Sequence, residues 1–232
     1  MKAIAVVLGL SLLALSQADH HDLYEHAGET GAILKKVLDK YDHFARPKTA
    51  DRAPTSVSMT ISVLEAFWKD QELVLKVIFK RQWVDERLKF EVAPGGRDRI
   101  HLPIRDFGNR IWRPNTFFVY AYDVDDLNNK GLIKIMSNGT IEDKRIETIR
   151  IFKPLSTPDQ KTIDGSFTLA DFRYDNTRLT MNWPATHDKA CMIVNDQHRV
   201  HISNIQCSKS TKKVLYGGEY DQMIATFTYT RP

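Results

Sequence analysis

From residue 56 onward the chain alternates. Val57, Met59, Ile61 and Val63 are interleaved with Ser56, Ser58, Thr60 and Ser62. A period of two puts one set on each face of a strand, one apolar and one wet. Leu73, Leu75, Val77 and Phe79 repeat the pattern inward, with Val74, Lys76, Ile78, Lys80 and Gln82 on the other side. Turn signals punctuate the rest of the chain: Pro94-Gly95-Gly96, then Ser137-Asn138-Gly139-Thr140 between Ile133/Ile135 and Ile146/Ile149/Ile151. The second of these reads as a hairpin. Phe167 to Leu169 and Leu179 to Met181 flank Tyr174-Asp175-Asn176, another hairpin-like stretch, and segments 200–205 and 222–229 close the chain. Short strands at regular spacing predict an all-β sandwich. One helical stripe precedes them: Ile33, Leu34, Val37, Leu38 and Tyr41 within residues 22–41, weakened early by Gly28 and Gly31 and ended by Arg46-Pro47.

The N-terminus reads as a leader. Lys2, the apolar run from Ala3 to Ala14, and Ser16-Gln17-Ala18 form a secretory signal peptide over residues 1–18. The run is short for a bilayer, which needs about 20 apolar residues. Residues 19–232 then form one exported domain, with no transmembrane domain expected. Export bears on the chain's two cysteines, Cys191 and Cys207. An oxidising compartment favours their disulfide. Closing a loop of that length is worth about 3 kcal/mol in the chain-entropy model. Spacing alone leaves two separate thiols open.

Several chemistries have no support. A formal charge of +4, dispersed along 232 residues, does not suggest nucleic acid. No Gly-rich phosphate loop and no Gly-x-Ser-x-Gly elbow is present. His198 and His201 fall on opposite faces of a strand. Asp123, Asp125, Asp126 and Asn128 lack the Gly and distal Glu of a calcium loop, so they read as a solvated acidic stretch. His21, third in the mature chain, reads as part of a frayed terminus. No enzyme activity, metal or cofactor is expected. Asn138-Gly139-Thr140 is a glycosylation sequon at a hairpin tip.

Two segments carry a family resemblance. Trp83-Val84-Asp85-Glu86-Arg87-Leu88 resembles the Trp-x-Asp-x-Arg-Leu signature of the extracellular domain of pentameric ligand-gated ion channels, the Cys-loop receptors. Ile111-Trp112-Arg113-Pro114-Asn115 is similar to the family's Ile-Trp-x-Pro-Asp segment, with Asn115 in place of Asp. Tyr41-Asp42, Ser137-Asn138-Gly139, Phe172 to Asn176 and Trp183 extend the match from about residue 22 to the C-terminus.

The resemblance implies a ten-stranded immunoglobulin-like sandwich with an N-terminal helix, assembled as a homopentamer that binds a small molecule between subunits. On the principal face it implies Phe172, Tyr216 and Tyr220, the last two bracketing Gly217-Gly218. The first-loop aromatic position falls on Val119, with Tyr120 and Tyr122 close by. On the complementary face it implies Ile78, Lys80 and Gln82, then Glu142 and Lys144. Trp83, Trp112 and Trp183 are assigned to core and interface. An aromatic box attracts an ammonium, and Lys80 resembles the basic position that holds a carboxylate in amino-acid-gated members. The expected ligand is therefore a small amine or amino-acid-like molecule.

Residues 151–165 lack the family's signature disulfide, and the sequence stops at Pro232, near where the first membrane helix begins in the family. This layout is similar to the soluble acetylcholine-binding proteins, and implies a secreted, extracellular ligand-binding protein. Two alternatives stand beside it: the extracellular part of a longer channel subunit, and a structural or matrix pentamer that no longer binds ligand.

Overall fold

A computed structural model describes residues 28–48, 51–69, 71–119, 121, 123–125, 131–153, 155–157, 159–185, 190–193, 201–214 and 217–231. The expected leader and the first part of the expected helix lie outside these residues, as do Tyr120, Tyr122, Asp126, Asn128, His198 and Tyr216.

The chain enters through helix α1 (Glu29–Val37). Gly28 caps it at φ 85°, a left-handed conformation that glycine adopts without strain. Glu29 stands in the first turn, where the helix dipole favours a carboxylate. Its Oε1 accepts from the backbone N–H of Arg97 at 3.0 Å, which ties the helix to the turn after Gly95. The exit of α1 is docked by the Asp85–Arg87 segment. Tyr41 Oη donates to Asp85 Oδ2 at 2.7 Å and accepts from Trp112 N at 3.0 Å. Arg87 lies 4.4 Å over the Tyr41 ring and also bonds Asp85 and the carbonyls of Asp42 and Ala45. Burial, then the Asp85 charge, pushes the Tyr41 hydroxyl well above its usual pKa.

The remaining elements are β1 (Thr55–Lys69), β2 (Glu72–Val84), β3 (Arg99–Pro103), the short α2 (Ile104–Phe107), β4 (Thr116–Phe118), β5 (Asp123–Asp125), β6 (Gly131–Met136), β7 (Thr140–Phe152), β8 (Thr162–Asp171), β9 (Leu179–Asn182), β10 (Cys191–Ile193), β11 (Ile202–Lys213) and β12 (Glu219–Thr230). They form two sheets. The larger runs β10-β1-β2-β7-β6-β3, with β5 added on β7 and β9 on β1; the smaller runs β11-β12-β8-β4. The described residues thus hold twelve strands where the resemblance implies ten. The difference is one of interruption. β9 and β10 both run parallel beside β1, and β4 and β5 share one stretch of chain that pairs first with the small sheet and then with the large one.

The two sheets bury their apolar faces against each other. Val57, Met59, Ile61 and Val63 of β1, and Leu73, Leu75, Val77 and Phe79 of β2, are all buried, as their alternation predicts. Aromatic rings step across the sandwich from Phe79 to Phe118, Phe167 and Phe227, at centroid spacings of 6.0, 5.8 and 6.1 Å. Burying each such ring contributes about 1.5–3 kcal/mol. Trp83 and Trp112 meet edge to face at 5.9 Å, both buried. Trp183 is partly buried against the core and donates Nε1–H to the Ser208 carbonyl at 2.7 Å.

One expectation is corrected. Residues 174–176 do not turn a hairpin, because β8 belongs to the small sheet and β9 to the large one. Asp171 Oδ1 accepts from the N–H groups of Arg173 and Tyr174, each at 2.8 Å, so the strand ends there. The chain then turns at Asp175, whose carbonyl accepts from Leu179 N, and crosses to lie along β1. A disulfide joins Cys191 of β10 to Cys207 of β11, with Cα atoms 6.0 Å apart. It links an edge of the large sheet to an edge of the small one.

Candidate ligand-binding faces

The first face belongs to the small sheet. β4 alternates, so Phe118 is buried and Phe117 points outward. Phe172 follows the end of β8 and is 76% exposed, which removes it from the core. Its ring meets Phe117 edge to face at 5.8 Å. Tyr220, at the start of β12, faces outward between the buried Asp221 and the β11–β12 turn. These rings line one shallow cavity of about 270 Å³ with Val119, Asp171 and Lys212. The structure therefore brings Phe172, Tyr220 and Val119 together; Tyr216 lies outside the described residues.

Of the lining residues that are not among the sequence-derived candidates, Ala170, Lys212, Val214 and Gln222 among them, two bear on the site. Phe117 is one; its alternation with Phe118 was the available signal. The other is Asp171, whose Oδ2 is buried with no hydrogen-bond partner among the described residues. A buried carboxylate on a residue that shares a cavity lining with three rings favours a cation.

The hairpin above the cavity is held by close approach. A Cβ at Gly218 would sit 2.7 Å from Asp175 Oδ2, so only glycine lets the tip lean on the 173–178 turn. Asn176 N donates to the Glu219 carbonyl at 2.7 Å across the same junction.

The second face is the outward side of the large sheet. Antiparallel register sets Ile78 opposite Ile146, Lys80 opposite Lys144 and Gln82 opposite Glu142. All five expected residues, Ile78, Lys80, Gln82, Glu142 and Lys144, line one cavity of about 610 Å³ with Ser58, Thr60, Ser62, Pro184 and Met192. Lys80 is not a free cation. Its Nζ lies 2.9 Å from Glu142 Oε2, and Lys134 Nζ lies 3.3 Å from Oε1 of the same carboxylate. Burial works to raise the Glu142 carboxyl, but its bonds to Lys80 and Lys134 outweigh that and hold it below the usual range. At the hairpin tip beside this sheet, Asn138 is exposed and its Oδ1 accepts from Thr140 N at 2.9 Å.

The neurotransmitter-gated ion-channel ligand binding domain family matches residues 30–151, just over half of the chain. The chain belongs to that family. The family is one of channel ligand-binding domains, not of enzymes. Among individual proteins, the chain is 28% identical over 217 residues to the gamma-aminobutyric acid receptor subunit alpha-3 of Homo sapiens, covering 86% of this chain and 42% of that subunit. It is 27% identical over 211 residues to the alpha-2 subunit of Rattus norvegicus, covering 86% and 45%. It is 33% identical over 146 residues to the alpha-6 subunit of Gallus gallus, covering 60% and 30%. The chain thus spans less than half the length of these relatives. No described helix is long and apolar enough to cross a membrane.

Proposed function

We propose that this domain binds a small amine or amino-acid-like ligand at the junction between two copies in a ring, outside the cell. One observation carries the reading. The outward Phe117–Phe172 pair, Tyr220, Asp171 and Lys212 line one cavity, while Ile78, Lys80, Gln82, Glu142 and Lys144 line another. The cavities lie on the outward faces of opposite sheets, and the packed core separates them. Stacked sheets stand about 10 Å apart. One copy cannot close both cavities over one molecule; a neighbour can. The three rings and Asp171 suit an ammonium group, with Lys212 the opposing charge in the same lining, and the lysine-bearing face suits a carboxylate. The names of the relatives fit a ligand that carries both charges.

Calorimetric titration of the purified protein with γ-aminobutyrate and with choline tests the reading. Tyr220→Ala removes one ring and is expected to weaken binding by roughly 2- to 30-fold, the worth of a single cation–π contact. Absence of binding heat from both probes would count against a working pocket.

That second outcome would favour a structural ring without a ligand. Two features lean that way: Val119 supplies no ring, and Glu142 already occupies Lys80. Export through the leader at residues 1–18, and a glycan on Asn138, belong to the same proposal. N-terminal sequencing of the secreted product would show a start at Asp19, and a glycosidase would lower its mass. An uncleaved, unglycosylated product would remove both.

A further inference from the structure

A third cavity, of about 500 Å³, lies apart from both faces and shares no lining residue with them. The loop after α1, the 108–116 segment and the turn after β8 enclose it together with β2 and β7. Four arginines line it: Arg81, Arg113, Arg145 and Arg173, with Asn109 and Asn115 alongside.

The charges around it do not balance. Arg81, Arg113 and Arg145 are largely enclosed, with side-chain exposures of 1%, 18% and 15%. Among the described residues, the carboxylates that contact them are two, Asp143 and Glu147, both buried. Asp143 takes a short bond from Arg81 Nη2, and further bonds from Arg113 Nε at 3.0 Å and Arg145 Nε at 3.3 Å. Arg145 Nη1 also reaches Glu147 at 3.3 Å. Three guanidiniums over two carboxylates leave one positive charge in a poorly hydrated place, which is costly without a counter-ion. Arg81 Nε is buried with no hydrogen-bond partner among the described residues. Arg173, exposed at the rim, makes no ion pair among the described residues and adds a fourth cation. Asn115 stands where the similar family segment has Asp, so the lining gains an amide in place of a third carboxylate.

We infer that this cavity binds a small oxyanion, a carboxylate or phosphate group, held by the arginine forks. A guanidinium presents parallel N–H donors that match two oxygens of such a group, and a halide offers no such match. The anion supplies the negative charge that the two carboxylates leave uncompensated.

The test is calorimetric titration of the full chain with inorganic phosphate and with acetate, against chloride at equal ionic strength. Phosphate or acetate is expected to bind and to raise the melting temperature beyond the chloride control. The tighter of the two identifies the group. Arg173→Gln, at an exposed position that leaves the fold intact, should weaken binding about tenfold, as expected for losing one charge-assisted contact. Asn109→Asp, also at an exposed position, places a repelling charge at the cavity and should abolish binding. The inference is overturned if neither oxyanion outperforms chloride, or if both variants bind as tightly as the parent.

Discussion

Arg81 occupies an inward position of β2, in register with Leu73, Leu75, Val77 and Phe79, and it is as buried as they are. The alternation that reveals those four continues through it to Trp83. The pattern alone does not announce it, because an arginine in a strand ordinarily marks a wet face or a strand end. Its partner Asp143 stands directly opposite on β7, a fact that only register supplies. Asp143→Asn should therefore cost about 3–5 kcal/mol in urea denaturation, since it leaves enclosed arginines without their shared carboxylate. The paired replacement Arg81→Met with Asp143→Leu should cost much less, because it removes both charges. Glu142 makes a separate prediction. Its folded pKa is held below that of an unfolded Glu, which is about 4.3, so its stabilising contribution is present above the unfolded value and fades as pH falls through the folded pKa. Glu142→Gln should flatten the acid limb of stability. Denaturation midpoints measured from neutral pH down to about pH 3, below the usual Glu value, would show the parent losing more than the variant.

At the scale of elements, periodicity made β1 and β2 legible, and the Ser137–Thr140 turn signal made the β6–β7 hairpin legible. Segments 200–205 and 222–229 marked only parts of β11 and β12, whose hairpin came from the resemblance. Periodicity could not say which sheet a strand joins. The Phe167–Leu169 and Leu179–Met181 segments have the pattern of a hairpin, yet the Asp171 caps end β8 and send the chain to the other sheet. The cysteines were legible as a pair only through compartment; the structure places them on edges of different sheets. Replacing both by serine should cost about 3 kcal/mol of stability, by loop entropy alone, and should be visible as a lowered denaturation midpoint. The hairpin tip is a second element with a defined contact. Gly218→Ala forces the tip off Asp175. It should weaken amine binding at the Tyr220 cavity while leaving the melting temperature nearly unchanged, because the tip lies outside the core.

The whole molecule is a sandwich whose two outer faces each carry half of a proposed site. Of the candidate residues, Phe172, Tyr220, Ile78, Lys80, Gln82, Glu142 and Lys144 came from resemblance, and the geometry groups them into two cavities. Asp171 was not legible, because in sequence it is one more acid before a turn. Lys80 was legible as a cation but not as a paired one, since Glu142 lies on another strand. The proposed shared site requires the Tyr220 tip of one copy to face strand β2 of the next. Cysteine cross-linking tests it without any ligand. A chain carrying both Tyr220→Cys and Ile78→Cys is oxidised and run on a denaturing gel, its native cysteines already paired to each other. Cross-linked chains should form a ladder of multiples that ends at a closed ring, expected at about five copies. A product that stays a single chain after oxidation would contradict the shared site.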